Sequence, residues 1–178
     1  ADSDGGVHRL QFPEPSSSAA TGAAAGTLTR IFDFRAAFPG FADRQQFFTR
    51  PVPVAINFDG STYTWALALG SGDRENLGDE TTGVAHFFFL VDAGDTTTRG
   101  ENELVAVDYS ELTGAFDCTT NALTPPKYGW YLSLRPTEKV VFDASVLDGY
   151  VYFPTFDPST DEATHNVPDQ CGETEDDG

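Results

Sequence analysis

Apolar residues along this chain come in short bursts, and none keeps a 3.6-residue period long enough to predict a helix of any length. The bursts are Val7–Phe12, Thr27–Phe34, Val52–Phe58, Tyr63–Leu69, Ala85–Asp92, Leu104–Val107, Gly129–Leu134, Val140–Phe142, Ala144–Leu147 and Tyr150–Phe156. Each is rich in β-branched, aromatic or Leu positions and is bounded by Gly, Pro, Asn or Asp, a pattern that predicts strands. Tyr63–Leu69 and Ala85–Asp92 are the strongest pair and predict antiparallel neighbours joined by a long, structured connection. Asp59-Gly60 is a two-residue hairpin signal that adds Val52–Phe58 to this pair. Either Leu104–Val107 or Gly129–Leu134 would supply a fourth strand. Asp148-Gly149 predicts a second tight hairpin, between Ala144–Leu147 and Tyr150–Phe156.

The segments between the bursts are of several kinds. Pro13–Gly26 is a low-complexity run of small residues, too poor in large apolar groups to offset the entropy of ordering it. Arg35–Pro51 carries Phe38, Phe41, Phe47 and Phe48, with room for one helical turn near Phe41–Gln46 before Pro39-Gly40 breaks anything longer. Aromatics in such number predict packing into a core or junction. Gly94–Glu103 is a polar loop, and Pro125-Pro126 excludes a regular element in Asp108–Tyr128. Residues 1–156 form the strand-bearing domain, and 157–178 form an acidic, loop-like C-terminal segment.

Charge changes the picture most. The 178 residues hold 28 Asp and Glu against 10 Lys and Arg, a formal net charge of −18, and the lysines are Lys127 and Lys139 alone. Such a surface repels nucleic acid and anionic lipid, which excludes both as direct partners. No apolar run reaches membrane-spanning length, so direct membrane insertion is not expected. The chain starts Ala1-Asp2-Ser3 without a leader, which points to processing or to a piece of a longer protein. Abundant carboxylates do not by themselves make an acid/base pair. His8, His86 and His165 are scattered, and there is no nucleophile elbow, phosphate loop, dinucleotide fingerprint or zinc-protease motif. The expectation is a non-enzyme with no catalytic residues and no cofactor.

Gly70-Ser71-Gly72-Asp73-Arg74-Glu75-Asn76 is the least generic stretch. Two glycines permit a sharp exit from a strand, and Asp73 can cap a turn while Arg74 pairs with a carboxylate. Turn chemistry explains each residue type. A partner-contacting loop is the functional reading, with Ser71, Asp73, Arg74, Glu75 and Asn76 as candidates. Asp2-x-Asp4-Gly5 has the opening spacing of a calcium loop, but the later ligands are missing, so no metal residues are assigned.

Ala68-Leu69-Gly70-Ser71-Gly72-Asp73-Arg74-Glu75-Asn76 followed by His86-Phe87-Phe88-Phe89-Leu90-Val91-Asp92 resembles the C-terminal β-propeller of the PilC/PilY family of type IV pilus biogenesis factors and tip adhesins. Further matches are Gly129-Trp130-Tyr131-Leu132-Ser133-Leu134, Glu138-Lys139-Val140-Val141 and the run from Val146 to Phe156. Asp4-Gly5-Gly6-Val7-His8-Arg9-Leu10 is similar to another strand of that family. The resemblance implies an all-β fold of antiparallel four-stranded propeller blades, incomplete within this chain: half a blade, a full blade and another half. Such a chain would be part of a larger protein, since it cannot close a ring alone. The resemblance also implies an extracellular, cell-surface setting at the pilus tip. Its expected partners are minor pilins or the tip complex, with a host or surface ligand beyond them. Calcium would enter only through parts of the parent protein outside this chain. A cell-surface setting pairs Cys118 with Cys171 in a disulfide that tethers the acidic tail, worth ~3–4 kcal/mol from loop entropy. Two other classes suit an acidic all-β chain. One is a secreted propeller enzyme, quinoprotein-like dehydrogenase or glycan hydrolase, which requires an axial cofactor pocket or inward-facing carboxylates. The other is a small acidic β-sandwich binding module.

Overall fold

The computed structural model describes residues 5–12, 26–34, 47–57, 63–73, 77, 84–107 and 128–158. Cys118 and Cys171, with the disulfide expected between them, lie outside the described residues, as do Asp2, Asp4, Phe38, Phe41, Asp59-Gly60 and nearly all of the acidic tail. The described chain is all-β. Its strands are β1 (Gly6–Gln11), β2 (Thr27–Asp33), β3 (Val52–Asn57), β4 (Tyr63–Gly70), β5 (His86–Asp92), β6 (Val105–Val107), β7 (Gly129–Ser133), β8 (Lys139–Val140), β9 (Ser145–Leu147), β10 (Tyr150–Tyr152) and β11 (Thr155–Phe156). A 3-10 turn at Glu101–Glu103 leads into β6. Among the described residues, no helix is long and apolar enough to cross a membrane.

A five-stranded sheet in the order β3-β4-β5-β7-β6 is the centre of the molecule. β3, β4, β5 and β7 are each antiparallel to the next, so Gly129–Ser133 supplies the fourth strand. Val105–Val107 is a fifth, and it runs parallel to β7, which makes the sheet mixed where antiparallel strands alone were expected. Pro53 sits on β3, an edge strand, where its missing N–H costs no ladder bond. The expected two-residue turn at Asp59-Gly60 would set Asn57 opposite Thr62. The sheet instead pairs Asn57 with Tyr63. A shift of one residue reverses every side chain on a strand. The observed register is the one that sets Ala66 and Ala68 beside Val54 and Val52 on one apolar face.

β5 explains the layering. Its residues from His86 to Val91 are all buried, although successive side chains point to opposite faces. Both faces of the sheet must therefore be covered. On one face Phe87, Phe89 and Val91 join Ala66, Ala68 and Leu132, and Val140, Ala144, Val146, Val151 and Phe153 pack over them. Phe87 stacks on Phe153 with ring centroids 3.9 Å apart. On the other face Phe88 and Leu90 join Leu69 and Leu104 beneath Val7, Ile31, Phe32, Phe34 and Phe47. Phe34 lies 4.1 Å from Phe88, centroid to centroid. Phe47, from the aromatic cluster expected to pack inside, is buried here.

The covering layers are small antiparallel pairs. β1 and β2 form one, with a bulge between Val7 and His8. β9 and β10 form another through the expected Asp148-Gly149 turn, whose φ values of 50° and 81° are the left-handed pair a tight hairpin requires. Tyr150–Phe156 is not one strand as expected. Pro154 interrupts it, and β11 leaves β10 to pair with β8.

Candidate functional site

Gly70 to Asp73, the described part of the Gly-rich loop, is a junction between the central sheet and the β8 layer. A Cβ on Gly70 would lie 2.3 Å from Val140 Cβ, so the chain there must be glycine for β8 to approach. Ser71 is fully buried. Its N–H donates to His86 O at 2.8 Å, its Oγ accepts from His86 N at 2.9 Å, and its carbonyl accepts from Val140 N at 3.4 Å. Thr49 Oγ1 donates to Gly70 O at 3.0 Å from the side. Lys139 is buried with its stem near Gly72, and its Nζ donates to Leu77 O at 3.3 Å. Ser71 thus fastens β4, β5 and β8 together and leaves no exposed hydroxyl. Asp73 is half-buried, while Arg74, Glu75 and Asn76 lie outside the described residues.

His86 sits beside this junction. Burial disfavours the imidazolium and lowers its pKa to about 4, against a smaller opposing effect from the Val84 backbone. Its ring lies 5.7 Å from Phe88 and 5.6 Å from Tyr131, centroid to centroid. At neutral pH it is a neutral core residue. Burial, and then the hydrogen bond that Tyr131 donates to Glu101 Oε1 at 2.8 Å, push the Tyr131 phenol up to about 12.

The second polar centre lies on the Gly94–Glu103 loop, a polar loop and candidate contact loop to which no motif assigns a residue. Arg99 is 5% exposed, and its guanidinium lies 3.8 Å above the Tyr128 ring. It forks onto Asp95, Nη1 to Oδ1 at 2.9 Å and Nη2 to Oδ2 at 2.5 Å. That hydrogen bonding from Arg99, helped by the Thr97 backbone N–H, holds the Asp95 carboxyl down at about 2. The backbone of Arg99 pairs in parallel with Phe32, donating to Ile31 O and accepting from Asp33 N at 3.0 Å each. One arginine therefore ties the loop to the β1–β2 layer. Arg9 does the same from the other side, with Nη1 2.6 Å from Asp92 Oδ1 and Nη2 2.7 Å from Asp95 O. Arg9 escaped sequence reasoning because its partners are distant in the chain, and Arg99 because a pair four residues apart carries a spacing signal only on a helix.

Among the described residues, no three His, Cys, Asp or Glu side chains converge as metal ligands would. The class defined so far is a layered all-β protein whose layers are joined at the Ser71 junction and by the backbone of Arg99 and the side chain of Arg9. Comparison with protein families, with curated proteins and with solved structures returned no match.

Proposed function

We propose that this chain is a sector of the β-propeller of a PilC/PilY-like type IV pilus tip protein, acting outside the cell in pilus assembly and surface attachment. The motif matches from Asp4 to Phe156 support the reading. So does one observation of the fold: the antiparallel meander β3-β4-β5-β7 is covered on both faces by further antiparallel pairs. A blade inside a propeller is enclosed by its neighbours in that way. The flanking layers in turn expose Leu10 and Leu28 on one side and Leu147, Tyr150 and Tyr152 on the other, faces suited to further blades.

In this reading the chain is non-enzymatic, without a cofactor of its own. Its contacts with minor pilins or the tip complex, or with a host or surface ligand, fall to the loop from Asp73 through Arg74, Glu75 and Asn76 and to Gly94–Glu103. Loops on a rigid scaffold are the usual carriers of such contacts. The parallel β6 favours a second reading, a small acidic layered binding module, because a four-stranded blade has no place for it. The test is an epitope tag in the native gene, read by immunogold labelling of sheared pili, with a deletion strain alongside. Label at fibre tips and lost piliation or attachment are expected. Label confined to the cytoplasm, with normal piliation in the deletion strain, would overturn the proposal.

A further inference from the structure

On the face of the central sheet that carries Phe88, the β1–β2 layer covers only one end. The other end presents Trp65 and Tyr63, 60% and 74% exposed. They alternate along β4, and Trp65 lies directly opposite Asp92, so all three project from the same face. Beside them β1 brings Arg9 and Gln11, which alternate with buried Val7 on the side turned toward the sheet. These residues, with Thr64, line an open cleft of about 380 Å³.

Among the described residues, neither hydrophobic cluster takes in the exposed Trp65 and Tyr63. Together they offer an electron-rich aromatic platform. The polar groups around the platform are planar. Gln11 offers both a donor and an acceptor, Asp92 accepts and Arg9 donates. A sugar ring matches that set, since its C–H face is apolar and its rim of hydroxyls both donates and accepts. We propose that this cleft binds a neutral saccharide, with the ring stacked on Trp65 or Tyr63 and its hydroxyls held by Gln11 and Asp92.

Charge narrows the ligand. A net charge of −18 repels acidic sugars. A quaternary ammonium would favour the aromatic pair, but the Arg9 guanidinium stands 2.6 Å from Asp92 and already neutralises the one carboxylate on the platform. A proline-rich peptide also favours aromatic grooves, yet beyond the two rings the lining offers only Ala93 as further apolar surface. The inference stands on the cleft alone and goes beyond the pilus reading, so either can fail without the other.

The test probes the full chain on an array of neutral oligosaccharides built from glucose, galactose, mannose or N-acetylhexosamine. Sialylated and sulfated glycans, choline and a decaproline peptide serve as comparisons. Hits are quantified by titration calorimetry. At least one neutral class is expected to bind, and Trp65→Ala is expected to weaken it on the order of ten-fold or more, as removal of a central aromatic contact does. Tyr63→Ala or Gln11→Ala should weaken it less. Trp65 is exposed, so the thermal melt of Trp65→Ala should match that of the wild type. A milder Trp65→Phe, keeping a smaller platform, should fall between the two. Failure of every neutral glycan to bind, binding unchanged by Trp65→Ala, or binding of choline or decaproline alone would each overturn the proposal.

Discussion

Phe87 and Phe88 are adjacent in sequence, and the architecture places them on opposite sides of one strand, each fully buried. Phe87 stacks on Phe153 of the segment after β10. Phe88 lies under Phe34 and 5.9 Å from Phe47, with their rings tilted edge to face. Truncating a fully buried Phe to Ala costs about 3–5 kcal/mol, transfer and cavity together. Phe87→Ala and Phe88→Ala should therefore cost similar amounts, and each is a large part of the ~5–15 kcal/mol that holds a typical domain together. For a chain of this size the melting temperature should fall by roughly 2–4 °C for each kcal/mol. Urea titration of the wild type and both variants, followed by circular dichroism and intrinsic fluorescence, measures both losses. The midpoint should fall in each case while the slope stays near the wild-type value. A loss below about 1 kcal/mol at either position would mean that face of the sheet meets water, since such small values belong to surface sites. The double-covered sheet would then be wrong.

Other expectations follow from single contacts. His86 has a folded pKa near 4 against 6.5 for the free group, so the unfolded chain takes up the proton first. Its contribution is complete above pH 6.5 and is lost as pH falls toward 4, about 3 kcal/mol at about 1.4 kcal/mol per pH unit. Unfolding midpoints measured across that window should fall more steeply for wild type than for His86→Phe. Gly70→Ala should destabilise by about 1–3 kcal/mol, because its Cβ would meet Val140. Adding Val140→Gly, which removes the Val140 Cβ along with both methyls, should recover part of that loss in a double-mutant cycle, which two independent sites would not show. Arg99→Lys keeps the charge but loses the fork on Asp95 and the stacking on Tyr128. It should cost about 1–3 kcal/mol and raise hydrogen exchange in β2, and an unchanged melt would refute the anchoring role.

Much of the sheet is legible in the sequence because its signals are local. Asp148-Gly149 between two apolar triplets can hardly be anything but a tight turn, and the unbroken run from His86 to Val91 marks the most buried strand. The rest depends on contacts distant in the chain. β6 joins the sheet beside β7 across residues 108–127 and runs parallel to it, which no turn signal announces. β8 and β11 are two residues each, too short for alternation to register. Pro154 was visible, but its effect, to send Thr155 to Val140, is a tertiary fact. The loop at Ser71 looked like a site because glycines flank a polar residue, a pattern equally produced by close packing against Val140. Trp65 and Tyr63 looked like ordinary strand aromatics, since alternation gives a face without telling what covers it.

The most direct test of the larger claim is the intact mass of the native polypeptide carrying this sequence, taken from its source with and without reductant. A chain that supplies the inner part of a blade stack should come from a polypeptide far heavier than 19.2 kDa. A native mass near 19.2 kDa would mean that the three layers close on themselves, and the pilus-tip propeller would give way to a small binding module.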